Sequence, residues 1–364
     1  MYDVAIAGGG PAGLSLALMT ARRGLRTVVM ERRTLPCDKP CGEGLMPRGV
    51  AALEAMGVRQ RLPDADAAEF RGIRYVQEDG TTAEGRFKGG VGLGIRRVAL
   101  STALLEAARG AGAEILERTP VTGFERGDGA VFLQLQSGES VGARVTVAAD
   151  GLVSPLRRLA GLERASRSPK RFGMRRHFRL RPWSPFVEVH FTNGVEAYVT
   201  PAGRDRVGIA FLWEEGRVDG RISYDALLER FPRLQERVAG AAPDSDVQGA
   251  GPLERVAAAR VADRFALLGD AAGYVDALTG EGLSLSFACA EALANLLPLA
   301  LDQGATAASL QPYEAAVARV YRPYQALTYS LLAIARRPLV RRTVIRVLSR
   351  CPRGFDRILG ALTA

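Results

Sequence analysis

Lysine is nearly absent from this chain. Lys39, Lys88 and Lys170 are its only lysines, so arginine carries almost all of the 49 basic residues and the net charge of +10. Arginine and alanine enrichment of this kind follows genomic composition. No basic run is interleaved with aromatic residues, so the charge does not point to nucleic acid. Histidine (His177, His190) and cysteine (Cys37, Cys41, Cys289, Cys351) are scarce and scattered. Cys37-x-x-x-Cys41 lacks a second pair, which excludes the usual metal-binding spacings. No secretory leader is recognisable and no run reads as membrane-spanning, which sets the expectation of a cytoplasmic chain with free thiols. Internal repeats and low-complexity segments are missing too.

Glycine is plentiful by contrast, with 41 residues, and its most informative cluster opens the chain. Residues 2–7 read as a strand, Gly8-Gly9-Gly10-Pro11-Ala12-Gly13 as a tight turn, and 14–23 as a helix. Gly8 lets the chain turn, Gly10 lets backbone N–H groups approach a pyrophosphate, and Gly13 lets helix and sheet pack closely. The helix N-terminus adds partial positive charge. Glu31 follows eighteen residues after Gly13, at the end of the apolar run 27–30, where a carboxylate can accept from a ribose diol. Strand, helix and acidic residue at this spacing make dinucleotide binding the expectation.

At 364 residues the chain exceeds the usual size of a single core, so two intertwined domains are expected. Buried strands and helices over 1–70, 93–165 and 255–305 predict one discontinuous nucleotide-binding domain. Residues 71–92 and 166–254 alternate with period two, as an antiparallel substrate sheet does. Residues 306–364 read as a helical tail, and 331–348 is amphipathic with arginine heads. That stretch is expected either to pack on the nucleotide domain or to touch an anionic membrane or a lipophilic substrate's entry path. The fold class is therefore α/β, a Rossmann-like domain with an inserted antiparallel sheet and a helical C-terminus.

Two further segments end buried strands with an acidic residue and glycine. One is Asp150-Gly151-x-x-Ser154-x-x-Arg157. The other is Gly269-Asp270-Ala271-Ala272-Gly273, which leads to Gly280-Glu281-Gly282 at a helix start. Asp270 can accept from a ribityl or ribose hydroxyl, and N–H groups near Gly280 and Gly282 suit an electron-rich flavin edge.

With these three elements in order, residues 1–300 resemble the flavoprotein superfamily of p-hydroxybenzoate hydroxylase, the geranylgeranyl reductases and the flavin-dependent halogenases. The resemblance implies non-covalent FAD in a glutathione-reductase-type domain. The implied cofactor contacts are Gly8, Gly10, Pro11, Ala12, Gly13, Glu31, Arg32, Cys41, Gly42, Arg97, Val121, Asp150, Gly269, Asp270, Gly280, Gly282 and Leu283. Residues 269–282 and Lys39-Pro40-Cys41-Gly42-Glu43-Gly44 are similar to the geranylgeranyl reductase versions. There a cysteine against the flavin could protonate carbon as a general acid, or simply pack in a tight loop. The reductase signature of the substrate sheet is reduced here to Tyr198 and Pro201, and no halogenase tryptophan block is present. Tyr198, Pro201 and Trp213 are the candidate pocket residues, although Trp183, Trp213 and Tyr198 read first as core or inter-strand packing. His177 and His190 read as hydrogen-bonded structural residues, with a general base as the alternative.

The sequence places monooxygenation of a hydrophobic aromatic, polyketide or lipid-like substrate first. Hydride transfer to an isoprenoid double bond comes second, with Cys41 as acid. Halogenation and a non-catalytic flavin carrier come last. No second dinucleotide motif exists, so NAD(P)H would act as a transient donor from a cleft. A monomer or homodimer is expected, without metal.

Overall fold

The computed structural model describes residues 1–166 and 168–363. A parallel sheet forms where the glycine motif requires one. Strand Tyr2–Ala7 lies at its centre, between Thr27–Met30 and Ser140–Ala148. Glu114–Leu116 extends one side and Phe265–Leu267 the other. Val4, Ala5, Ile6, Val28 and Val147 are all fully buried. Strands covered on both faces read as continuous apolar runs, which is how these segments appear in the sequence. Helices Pro11–Ala21, Arg97–Gly110 and Gly282–Asp302 supply the core on one face. The hairpin Val121–Arg126/Val131–Leu135 covers the other through Leu133 and Leu135.

Helix Gly282–Asp302 corrects one expectation, because its length and apolarity match a membrane span. Its inward face (Phe287, Ala290, Leu293, Ala294, Leu297) joins the core around Leu14 and Leu18. It behaves as a core helix, which passes the same compositional test.

The second sheet has seven strands, in the order Gln248–Ala250, Arg171–Arg179, Arg206–Glu214, Val195–Pro201, Val187–Thr192, Gly72–Val76 and Thr82–Arg86. It is antiparallel except at one seam, where Val187–Thr192 runs parallel to Gly72–Val76. Those two strands come from segments far apart in the chain, so no hairpin dictates their direction. A small three-stranded sheet of Gly44–Leu45, Ala67–Phe70 and Gly92–Ile95 bridges the two larger ones.

Alternation gives the seven-stranded sheet two unlike faces. Val195, Ala197, Val199, Ile209, Phe211 and Trp213 face a core closed by helices Tyr224–Leu228 and Pro232–Val238. The other face carries Arg171, Arg175, His177, Glu196 and Tyr198 toward the parallel-sheet domain. It continues into an apolar strip of Tyr75, Ala83, Val189 and Phe191.

The C-terminal helices divide their work. Ala307–Ala335 packs on the parallel-sheet domain, where Tyr313, Tyr321 and Tyr324 donate to the carbonyls of Leu267, Gly273 and Asp276. Pro338–Arg350 and Pro352–Thr363 instead roof the apolar strip with Ile345, Phe355 and Leu359.

Phe355 is 2% exposed, and its ring stacks on Tyr75 with centroids 5.2 Å apart. Phe355→Ala should cost about 3–5 kcal/mol in urea unfolding. A loss below about 1 kcal/mol would mean the last helix is not part of the cooperative fold.

Candidate active site

The glycine loop is shaped by contacts only glycine allows. Gly8 has φ +114°, and a Cβ there would lie 2.3 Å from Ala149 O; one on Gly13 would lie 2.0 Å from Gly8 O. Gly10 differs, since a methyl there would meet only Lys39 Nζ, at 3.7 Å. No side chain caps the helix that begins at Pro11, followed by Ala12, so its first amides are free for an anion. Glu31 is buried beside the loop, accepting from Gly9 N at 2.8 Å and Arg33 N at 3.2 Å. Arg32 next to it is exposed. Thr119 N donates to Glu31 O at 2.8 Å, which places half-buried Val121 on this side of the site.

The two Asp-Gly turns close on the loop differently. Asp150 accepts from Ser154 Oγ at 2.5 Å and Leu156 N at 3.1 Å, so its carboxylate shapes the turn it begins. Burial raises its pKa. Fully buried Arg157 donates to Ala271 O at 3.0 Å and ties that turn to the second. Gly269 has φ +64°, and a Cβ there would come 2.8 Å from Ala12 Cβ, so this turn packs directly on the glycine-loop helix. Half-buried Asp270 faces Arg97 and Lys39; burial raises its pKa against those two cations. Gly280 has φ +69°, and Gly282 opens a helix that also lacks a side-chain cap. Leu283 packs against the core beneath. Arg97 Nε and Thr279 Oγ1 are buried without a hydrogen-bond partner among the described residues.

Two ionic locks fasten these turns to the seven-stranded sheet. In the first, Glu43 is buried at φ +59°, a strained setting for a side-chain-bearing residue. Its Oε1 accepts from Arg96 Nη1 at 2.9 Å and Arg97 N at 2.8 Å, and its Oε2 lies 2.6 Å from His177 Nε2. His177 Nδ1 is 2.9 Å from Ser245 Oγ. Burial opposes ionisation of Glu43, but His177 and Arg96 outweigh it and hold the pKa below the usual range. Burial, with Arg96 and Arg175 nearby, lowers His177 despite Glu43. The pair is therefore carboxylate and neutral imidazole, with Nε2–H the donor. Cys41, half-buried, accepts from Glu43 N at 3.3 Å and lies near Arg97. Gly42 beside it has open space where a Cβ would be.

In the second lock, Arg171 donates to Asp276 and Glu196, each at 2.8 Å. Asp276 accepts from Leu278 N at 3.0 Å, and Tyr198 OH donates to Leu278 O at 3.2 Å. The segment before Gly280 thus hangs from the sheet, with Tyr198 against it. Trp213 and Pro201 are corrections to the expected pocket. Strand parity turns both away from Tyr198, and Trp213 stacks on Phe172 in the helix-covered core. His190 is also on that face, paired with Glu188 at 3.0 Å. Neither lock was read from the sequence. Arg171, Arg175 and His177 at even spacing, opposite the apolar Phe172, Met174 and Phe178 of the same strand, were the available signal.

Fold and site together define a nucleotide-cofactor flavoprotein. The family model described as an FAD binding domain matches residues 1–325, and the chain belongs to that family. It is an FAD-dependent oxidoreductase. The glycine-only approaches, uncapped helix starts and orphaned Arg97 and Thr279 atoms fit this cofactor. The chain is 31% identical over 336 residues to digeranylgeranylglycerophospholipid reductase 1 of Methanopyrus kandleri, covering 85% of this chain and 83% of that one. It is 28% identical over 313 residues to menaquinone reductase of Mycobacterium tuberculosis, covering 81% and 76%. Among solved structures, p-nitrophenol 4-monooxygenase from Pseudomonas putida superposes with a TM-score of 0.83 at 21% identity, covering 100% of this chain and 96% of that one. That likeness is one of fold.

Two measurements probe the site. Gly10→Ala should fold with unchanged stability yet bind FAD at least about tenfold more weakly, because its methyl enters space that only the cofactor needs. Unaltered affinity in a flavin titration of the apoprotein would remove Gly10 from the site. Glu281, half-buried before the helix at Gly282, has its carboxyl pushed by burial from 4.5 to about 7. A raised carboxyl pKa means the folded state holds the proton more tightly, so stability falls as pH rises from about 4.5 through about 7. In the apoprotein, Glu281→Gln should remove this slope and gain about 1–3 kcal/mol above pH 7. Parallel stability–pH curves for the two proteins would contradict it.

Proposed function

We propose that this flavoprotein reduces carbon–carbon double bonds in a long isoprenoid-type substrate, taking its reducing equivalents transiently from NAD(P)H. The observation that carries the reading is the flavin-side face of the sheet. Its charged part is consumed by the two locks, and the strip of Tyr75, Val189 and Phe191 beyond Tyr198 is aliphatic and aromatic, roofed by Phe355 and Leu359. Phe355 and Leu359 fill that strip here, so an extended hydrocarbon would have to take their place against it, with burial and few polar contacts. The reductases similar over three quarters of the chain support the same chemistry.

When bound, FAD would supply the reducing chemistry. Cys41 would give a proton to the substrate carbon as a general acid, from a loop that Glu43 and Arg97 hold in place. Arg97, beside Cys41 and Asp270, would hold the electron-rich side of the cofactor.

Oxygen insertion, which the sequence alone places first, is the second reading. It is favoured by the departure from the reductase signature at residues 196–201, where Tyr198 stands as an aromatic substitute.

The test is anaerobic turnover of dithionite-reduced enzyme with a menaquinone or a geranylgeranyl lipid, read by mass spectrometry. A product heavier by two hydrogens is expected. Cys41→Ala should slow that step about 100-fold with FAD still bound. A strict need for O2, with one oxygen gained, would replace the reductase reading by the second one.

A further inference from the structure

The last two helices present a second face that the reaction does not use. Inward, Ile345, Leu348, Phe355 and Leu359 roof the apolar strip of the sheet. Outward, Leu339 is 79% exposed, Val340 43%, Val347 59% and Ile358 49%. These are four of the twelve large apolar side chains that are exposed among the described residues, gathered on a short stretch of chain. On helix Pro338–Arg350, Leu339, Thr343 and Val347 follow at four-residue spacing, so they form one outer stripe.

Charge surrounds this stripe with one sign. Residues 336–358 hold eight arginines and a single acid, Asp356. Arg336 pairs with Glu214, Arg341 and Arg342 with Glu78, and Arg346 reaches Asp79 at 3.9 Å. Arg337, Arg350, Arg353 and Arg357 have no acidic partner among the described residues. Asp356 is engaged elsewhere, accepting from Arg86 N at 2.7 Å.

We infer that this outer face docks on an anionic lipid bilayer. Exposed aliphatic side chains flanked by unpaired arginines match an interface of acyl chain and phosphate headgroup. A nucleic acid would use the arginines and leave Leu339 and Val347 in water. A second copy meeting the same face by two-fold symmetry would set arginine against arginine. The helices would then lie between the membrane and the apolar strip, about one helix diameter (~10 Å) deep. The inference concerns attachment and holds for either reaction above.

The experiment is flotation of the FAD-loaded full chain with vesicles of phosphatidylcholine alone or of equal phosphatidylcholine and phosphatidylglycerol. Binding is expected to the anionic vesicles and to weaken as salt is raised. Leu339→Asp combined with Val347→Asp, and separately Arg350→Glu combined with Arg353→Glu, should each lower partitioning about tenfold or more. All four positions are exposed, so flavin absorbance and melting temperature should be unchanged, which shows that the fold is kept. Failure to bind anionic vesicles, or equal binding by both variants, overturns the inference. So does a dimer in sedimentation that Leu339→Asp with Val347→Asp dissolves, since that assigns the face to a second copy.

Discussion

Glu43 is a buried carboxylate on which two domains and the flavin-side loop converge. Its backbone sits in the left-handed region, and its oxygens hold Arg96, the amide of Arg97 and His177. Removing one partner of a buried pair leaves an uncompensated charge, at a cost of about 3–5 kcal/mol. The strained φ persists because three chain segments, around residues 43, 96 and 177, fix that carboxylate together. Cys41, Gly42 and Arg97 take their positions from it.

The Arg171–Asp276–Glu196 lock does for the other rim of the site what Glu43 does for the first. Its buried guanidinium lies between two carboxylates, and Asp276 passes the constraint to Leu278 and so to Gly280. The sheet is therefore more than a wall. One face builds its own core with short helices, while the opposite face holds the cofactor turns at one end and an apolar strip at the other. The C-terminal helices complete that strip, so residues that look peripheral in the chain belong to the packed core of this face.

Much of this was legible in the residues. Buried parallel strands announced themselves as unbroken apolar runs, and the antiparallel sheet as alternation. The glycine turns were readable because a turn with positive φ, or a backbone approach near 2 Å, leaves no choice of side chain. The reading was weaker at Asp150, whose carboxylate is spent on its own turn. Trp213 was readable either as core packing or as pocket, and strand parity placed it in the helix-covered core.

What the sequence determined by itself is the cofactor class and the glycine turns that suit it, since those depend on a few neighbouring residues and on local conformation. Only the tertiary structure decided which charged groups pair, which face each aromatic residue takes and what the last helices cover. Glu43 and His177 are 134 positions apart, and Phe355 reaches Tyr75 from the far end of the chain. Such contacts are set by the register between distant strands, where a shift of one residue turns every side chain to the opposite face.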